Sequence, residues 1–265
     1  MEYSGYEHLL FERHPDGVLL ITINRPEKYN ATNAVLHREL SELWHDLNRD
    51  GQTRAVVITG AGKAFSAGGD FEVLVEQAND LEAALTALEE ARSIVHGMLT
   101  CRKPIVSAIN GVAVGAGLSV ALLADISVIG KNVKLTDGHI RLGVAAGDHA
   151  TLIWPLLCGM AKTKYYLLTA DFISGEEAER TGLVSECVPD DQVLARSMEI
   201  ASVLGRGPVR AIEYTKRSLN MWMQHFAPMF ESSLALEMLN FADRDVQEGI
   251  AAVRERRSPV FPSTK

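Results

Sequence analysis

The sequence predicts an α/β chain: a mainly parallel sheet with crossover helices, followed by a helical C-terminal region. Three observations carry this. Short β-branched or leucine-rich runs at 18–23, 54–59, 105–109 and 126–129 alternate with helix-period segments at 36–47, 81–99 and 115–124. No proline-rich or serine-rich linker interrupts the alternation. After Pro155 the strand signal fades, and helical segments follow at 162–169, 175–181, 190–205, 208–223 and 228–240. The expected organisation is a core over residues 1–200 and a helical region over 201–265 that covers the site or packs on a neighbouring subunit.

Taken in order, the run at 18–23 ends at Asn24-Arg25-Pro26, so a buried strand gives way to a loop. Leu36, Leu40, Leu43, Trp44 and Leu47 then recur at helical spacing and give one apolar stripe. The strand at 54–59 is closed by Gly60-Ala61-Gly62, and Pro104 separates the helix at 81–99 from the strand at 105–109. Residues 115–124 are apolar on all sides, which predicts a buried central helix. A membrane span over 112–130 is excluded because Asp125 interrupts it and the uncharged part is shorter than a bilayer needs.

Composition sets further limits. The chain has 265 residues, 47% apolar and 23% charged, which is ordinary for a soluble globular protein. A formal net charge of -8 argues against nucleic acid or an anionic membrane as partner, since both are polyanions. Cys101, Cys158 and Cys187 lie far apart, with no C-x-x-C pair and no metal-ligand spacing, and read as reduced packing residues with no metal site. Residues 1–11 carry Glu and His where a signal peptide has a basic end and an apolar stretch. The expected location is the cytoplasm.

Two segments carry chemistry. Gly115-Ala116-Gly117 opens the buried helix, so small residues let a ligand approach backbone NH groups that have no partner in the first turn. Such a place binds negative charge, or serves only close packing in a glycine-rich core. The run from Val106 through Asn110-Gly111 and the small triplet to Ala124-Asp125-Ile126 resembles the signature of the enoyl-CoA hydratase/isomerase (crotonase) superfamily. Lys63-Ala64-Phe65-Ser66-Ala67-Gly68-Gly69-Asp70 resembles that family's other site loop, and Asn24-Arg25-Pro26-Glu27-Lys28-Tyr29-Asn30-Ala31 its early loop. The likeness runs from about residue 8 to residue 205.

This resemblance implies a crotonase-like ββα spiral assembled as trimers or dimers of trimers. It places two oxyanion-hole donors on Gly69 and Ala116, with Ala67, Gly68, Gly115 and Ser119 around the substrate. One such donor is typically worth about 3 to 4 kcal/mol of activation free energy. A small-molecule substrate is implied, an acyl-CoA or a β-diketone, with no cofactor beyond CoA carried by the substrate itself.

The sequence departs from a crotonase-type hydratase at the two glutamates that activate water, where it has Ser119 and His139. The segment from Asp137 to His149 instead resembles the 6-oxocamphor hydrolase and β-diketone hydrolase branch, which cleaves carbon-carbon bonds. In that branch a His and an Asp nine residues later form the working pair, here His139 and Asp148. The expectation is that Asp148 orients the His139 imidazole, which takes a proton from water. His37 and Glu237 also fit the branch. Glu237 has an independent oddity, because Phe230, Leu234, Met238 and Phe241 place it on an apolar helical stripe.

Bland readings stand beside these. His37 can be a polar residue at a stripe edge, Glu237 a subunit salt bridge and Asp148 a helix cap. Gly117-Leu118-Ser119-Val120-Ala121 is no nucleophile elbow, since the strand ends ten residues before Ser119, which reads as pocket wall. A dinucleotide fingerprint would need glycine at Val120. The leading functional expectation is hydrolytic cleavage of a β-dicarbonyl. The alternatives are hydration or isomerisation of an acyl-CoA, and a catalytically silent binding or scaffold protein.

Overall fold

A computed structural model describes residues 2–265. β1 (Leu9–His14) and β2 (Val18–Ile23) form an antiparallel hairpin, pairing Leu9 with Ile23 and His14 with Val18. α1 (Ala34–Arg49) follows, capped by Asn33, whose side chain accepts from Leu36 N at 2.9 Å. From here one path is repeated three times: a strand in a large sheet, a strand in a small sheet, then helix. The first turn is β3 (Ala55–Gly60), β4 (Ala64–Ser66), α2 (Phe71–Asn79) and α3 (Leu81–Thr100). The second is β5 (Ile105–Ile109), β6 (Val112–Val114) and α4 (Gly115–Leu123). The third is β7 (Ile126–Gly130), β8 (Lys134–Thr136), a 3-10 turn at His139–Leu142 and α5 (Ala150–Thr169). This is the expected ββα spiral.

The chain continues through β9 (Ile173–Ser174), α6 (Gly175–Thr181), β10 (Glu186–Val188), α7 (Val193–Arg206), α8 (Val209–His225), α9 (Ala227–Asn240) and α10 (Arg244–Arg254). The large sheet has the order β1-β2-β3-β5-β7-β10, parallel except for β1, and the small sheet the order β4-β6-β8-β9.

Both faces of the large sheet are covered, which is why its strands read as continuous apolar runs. In β3, Val56 and Ile58 join the main core with the α1 stripe, Trp44 included, while Ala55 and Val57 join a second cluster with Val193 and Ala201 of α7. The change of character expected near residue 200 therefore falls inside α7, which packs on β3, β5 and β7 as part of the core. The helix expected at 162–169 is the second half of α5, which also contains Pro155 and changes direction at Gly159, where φ is 76°.

The last helices fold back over the same chain. α9 packs on α3 and α5. α10 packs on α2 and on the turn at His139–Leu142, where Val246 and Ile250 bury Val144 and Phe241. Among the described residues, no helix is long and apolar enough to cross a membrane.

Candidate active site

The two backbone donors are aimed by loops that clamp one another. Asn30 sits in the left-handed region at φ 57°, which Asn tolerates, and is wholly buried. Its side chain accepts from Arg25 N and donates to Ala61 O and Ala64 O, at 2.9, 2.9 and 2.8 Å. Its carbonyl accepts from Ser66 Oγ at 2.7 Å. Thr32 then brackets the next loop, donating from N to Gly68 O at 2.7 Å and accepting at O from Asp70 N at 2.9 Å. An Arg25–Asp70 ion pair at 3.3 Å closes the arrangement. Gly69 N is left without a protein acceptor among the described residues.

Ala116 N lies in the first turn of α4, where no intrahelical acceptor exists. The two loops approach through glycines: Gly68 has φ 91° and Gly115 φ 46°, and a Cβ on Gly68 would stand 3.1 Å from Val114 O. A Cβ on Gly117 would stand 2.3 Å from that of Ser66, so the triplet serves packing as well as ligand approach.

Both donors line a mostly apolar cavity of about 270 Å³. All the residues singled out from the sequence line it too: His37, Ala67, Gly68, Gly69, Gly115, Ala116, Ser119, His139, Asp148 and Glu237. All three turns of the spiral supply them, together with α1 and α9.

The partners differ from expectation. His139 and Asp148 make no direct hydrogen bond to each other among the described residues, correcting the expected dyad. His139 Nδ1 pairs with Asp137 Oδ2 at 2.9 Å, and its Nε2 lies 3.6 Å from Glu237 Oε1. Asp137 sits where β8 ends and, with Gly138 in the left-handed region, turns the imidazole inward. Asp137 Oδ1 and Glu237 Oε2 are buried without a hydrogen-bond partner among the described residues. Burial alone would lower the His139 pKa, but the charges of Asp137, Asp148 and Glu237 outweigh it and raise it well above the usual imidazole value. Burial keeps the Glu237 carboxyl above its usual range, although His139 pulls it the other way.

Asp148 belongs to a second array. Its Oδ2 accepts from Ser119 Oγ at 2.8 Å, and its Oδ1 contacts His149 Nδ1 at 2.6 Å. Trp154 Nε1, which can only donate, reaches His149 Nε2 at 3.3 Å, so the His149 proton resides on Nδ1 and points at Asp148. Burial pushes the Asp148 carboxyl up, but His149, His139 and the Ser119 hydroxyl hold it well below the usual carboxylate range. Asp148 is thus an anchored negative charge. Ser119 Oγ also lies 2.7 Å from His149 Nδ1, so its hydroxyl is tied into this array on both sides, which fits wall and not nucleophile. Asp137, Asp148 and His149 bring donor atoms within 4.8 Å of one another, yet both His149 nitrogens are engaged, so the trio does not suit a metal.

His37 reaches the cavity from α1 with its Nδ1 2.5 Å from Glu90 Oε2 of α3. Asp137 and His149 were not singled out in the sequence. An Asp two residues before a candidate catalytic His, at a strand end followed by glycine, was the available signal for Asp137. His149 offered none.

Gly147 holds Glu237 in place. A Cβ there would stand 2.3 Å from Ser233 O and 2.7 Å from Glu237 Oε2, so α9 approaches only because this residue lacks a side chain. Gly147→Ala is expected to lower kcat about tenfold or more by displacing Glu237, with about 1 to 3 kcal/mol of lost stability, read by steady-state kinetics and urea denaturation.

Known proteins share this architecture. Residues 13–264 match the family described as enoyl-CoA hydratase/isomerase. A protein of Rhodobacter capsulatus named probable enoyl-CoA hydratase is 33% identical over 249 residues, covering 93% of this chain and 95% of its own. An enoyl-CoA hydratase/isomerase from Mycobacterium paratuberculosis superimposes with a TM-score of 0.88 at 36% identity, over 92% of this chain and 97% of that one. A β-diketone hydrolase from Anabaena, bound to (S)-3-oxocyclohexyl acetic acid, does so at 0.84 and 27% identity, over 91% and 96%. The clamped loops, the spiral that carries them and the match over nearly the whole length make this chain a member of the enoyl-CoA hydratase/isomerase family, an enzyme of the crotonase superfamily.

Proposed function

We propose that this enzyme hydrolyses a carbon-carbon bond of a β-dicarbonyl substrate, with Glu237 as the base and His139 as the acid. One observation carries the proposal: a buried imidazole stands between Asp137 and Glu237 in the cavity that Gly69 and Ala116 line. Against the opposing effect of burial, three carboxylates raise the pKa of that imidazole well above its usual value, which suits it to give a proton instead of taking one. The base role passes to Glu237, whose Oε2 has no hydrogen-bond partner among the described residues and whose pKa burial raises above its usual range.

In the proposed reaction Glu237 takes a proton from water, and the hydroxide bonds to one carbonyl carbon. The adduct collapses, the bond to the central carbon breaks, and its electron pair becomes an enolate whose oxygen rests on Gly69 N and Ala116 N. His139 Nε2 delivers its proton to the enolate carbon. Glu237 then reloads His139 across their 3.6 Å contact. Water and diketone become one ketone and one carboxylic acid, with no atom unaccounted for.

The Anabaena neighbour, named a β-diketone hydrolase, supports this reading. The relatives named enoyl-CoA hydratases favour a second one, since base, acid and oxyanion hole also suffice to add water to a 2-enoyl-CoA. Offered cyclohexane-1,3-dione and crotonyl-CoA separately, the purified enzyme is expected to turn over the diketone with the higher kcat/KM and to release 5-oxohexanoate. Brisk hydration without cleavage would sink the proposal. Exposed apolar side chains on α8 and α9, among them Leu219, Trp222, Leu236 and Leu239, fit the trimer or dimer of trimers that the family resemblance implies.

A further inference from the structure

We propose, resting on the reading of this site as a dicarbonyl hydrolase, that Arg141 binds a carboxylate on the part of the substrate remote from the reacting carbonyls. Charge within the cavity motivates the assignment. Asp137, Asp148 and Glu237 all line it, so an anionic substrate group is repelled from the depth where chemistry occurs. Arg141 is the one Arg or Lys among the described residues of the lining.

The side chain is placed for the task. Arg141 lies two residues after His139 on the same 3-10 turn, which α10 braces through Val246 and Ile250, so its backbone is fixed relative to the imidazole. Its guanidinium sits 4.7 Å from the centroid of the Phe172 ring, another cavity residue, and among the described residues it pairs with no carboxylate. Stacking on a ring occupies the face of the guanidinium and leaves its edge donors for a bidentate anion.

Size selects the anion. A 3-10 turn rises about 2.0 Å per residue, so the backbones carrying imidazole and guanidinium are set roughly 4 Å apart along the turn axis. Both side chains line one cavity of about 270 Å³, a size that suits a small keto acid touching the two at once. The phosphates of a CoA thioester lie a whole pantetheine arm from the reacting carbonyl, too far for the same contact. The substrate class is therefore a dicarbonyl acid, with its carboxylate at the rim and its reacting carbonyls at the oxyanion hole.

Binding tests this without turnover, so the result stands apart from whether the enzyme cleaves diketones. 4-Oxocyclohexanecarboxylate, its methyl ester and coenzyme A are titrated by calorimetry at pH 7 into the full-length wild type, R141Q and R141K. The acid is expected to bind the wild type at least tenfold more tightly than the ester. R141Q should reduce that preference roughly ten- to hundredfold, and R141K should keep part of it. Equal weakening of acid and ester in R141Q, no preference in the wild type, or no binding of either overturns the proposal. So does a loss confined to coenzyme A, which would assign Arg141 to a phosphate.

Discussion

Glu237→Gln is expected to lower kcat about a hundred- to ten-thousandfold, the usual worth of a general base, while the far-ultraviolet circular dichroism of the fold is unchanged. Glutamine keeps the volume of the side chain, so α9 still packs against Gly147. What it loses is the ability to take a proton from water and return one to His139 across 3.6 Å. A structural salt bridge would behave otherwise. Were Glu237 only a partner for His139 at a packed surface, the glutamine variant would lose stability and keep most of its turnover.

The pH profile separates the two groups. The base must be ionised, so activity falls as pH drops through the Glu237 pKa, which burial raises above the usual carboxylate range. The acid must be protonated, so activity falls as pH rises through the His139 pKa, which Asp137, Asp148 and Glu237 hold well above the usual imidazole value against the opposing effect of burial. The wild type should give a bell with both limbs displaced upward. In Glu237→Gln the acid limb should disappear. The alkaline limb should move down, because one of the three charges that favour the imidazolium has gone.

How far this site was legible in the sequence follows from where its parts lie. The oxyanion donors sit in contiguous loops, so local patterns around Gly69 and Ala116 marked them. Glu237 stood out as a lone carboxylate on an apolar stripe, and it is indeed buried. The pairing of His139 was not legible, since spacing along the chain says nothing of which carboxylate faces a ring nitrogen. Asp148, nine residues on, turns to Ser119 and His149, while Asp137 takes Nδ1.

The fold divides in the same way. β2, β3, β5 and β7 are buried on both faces and read as apolar runs. β4, β6, β8 and β9 have two or three residues each, too few to show a period. α2 escaped because it buries no residue fully and instead walls the cavity with Phe71, Val73 and Leu74.

Asn30→Ala carries the largest expected cost to stability, about 3 kcal/mol or more by urea denaturation. Three side-chain hydrogen bonds, to Arg25 N and Ala64 O in the interior and to Ala61 O nearer the surface, vanish together, each worth about 1 kcal/mol net and more where the partner is left unpaired. Alanine at φ 57° adds strain that asparagine tolerates. Asn30→Asp keeps the acceptor for Arg25 N but sets an oxygen against two carbonyl oxygens, so it should destabilise at least as much as alanine despite its closer shape. The same change reaches the chemistry, because Ser66 Oγ donates to Asn30 O and Gly68 N donates to Ser66 Oγ in the loop that aims Gly69 N. Folded Asn30→Ala should therefore show a lower kcat than wild type at a temperature where both are native. A loss below about 1 kcal/mol in both variants would mean that the early loop is held by Arg25 and Asp70 alone.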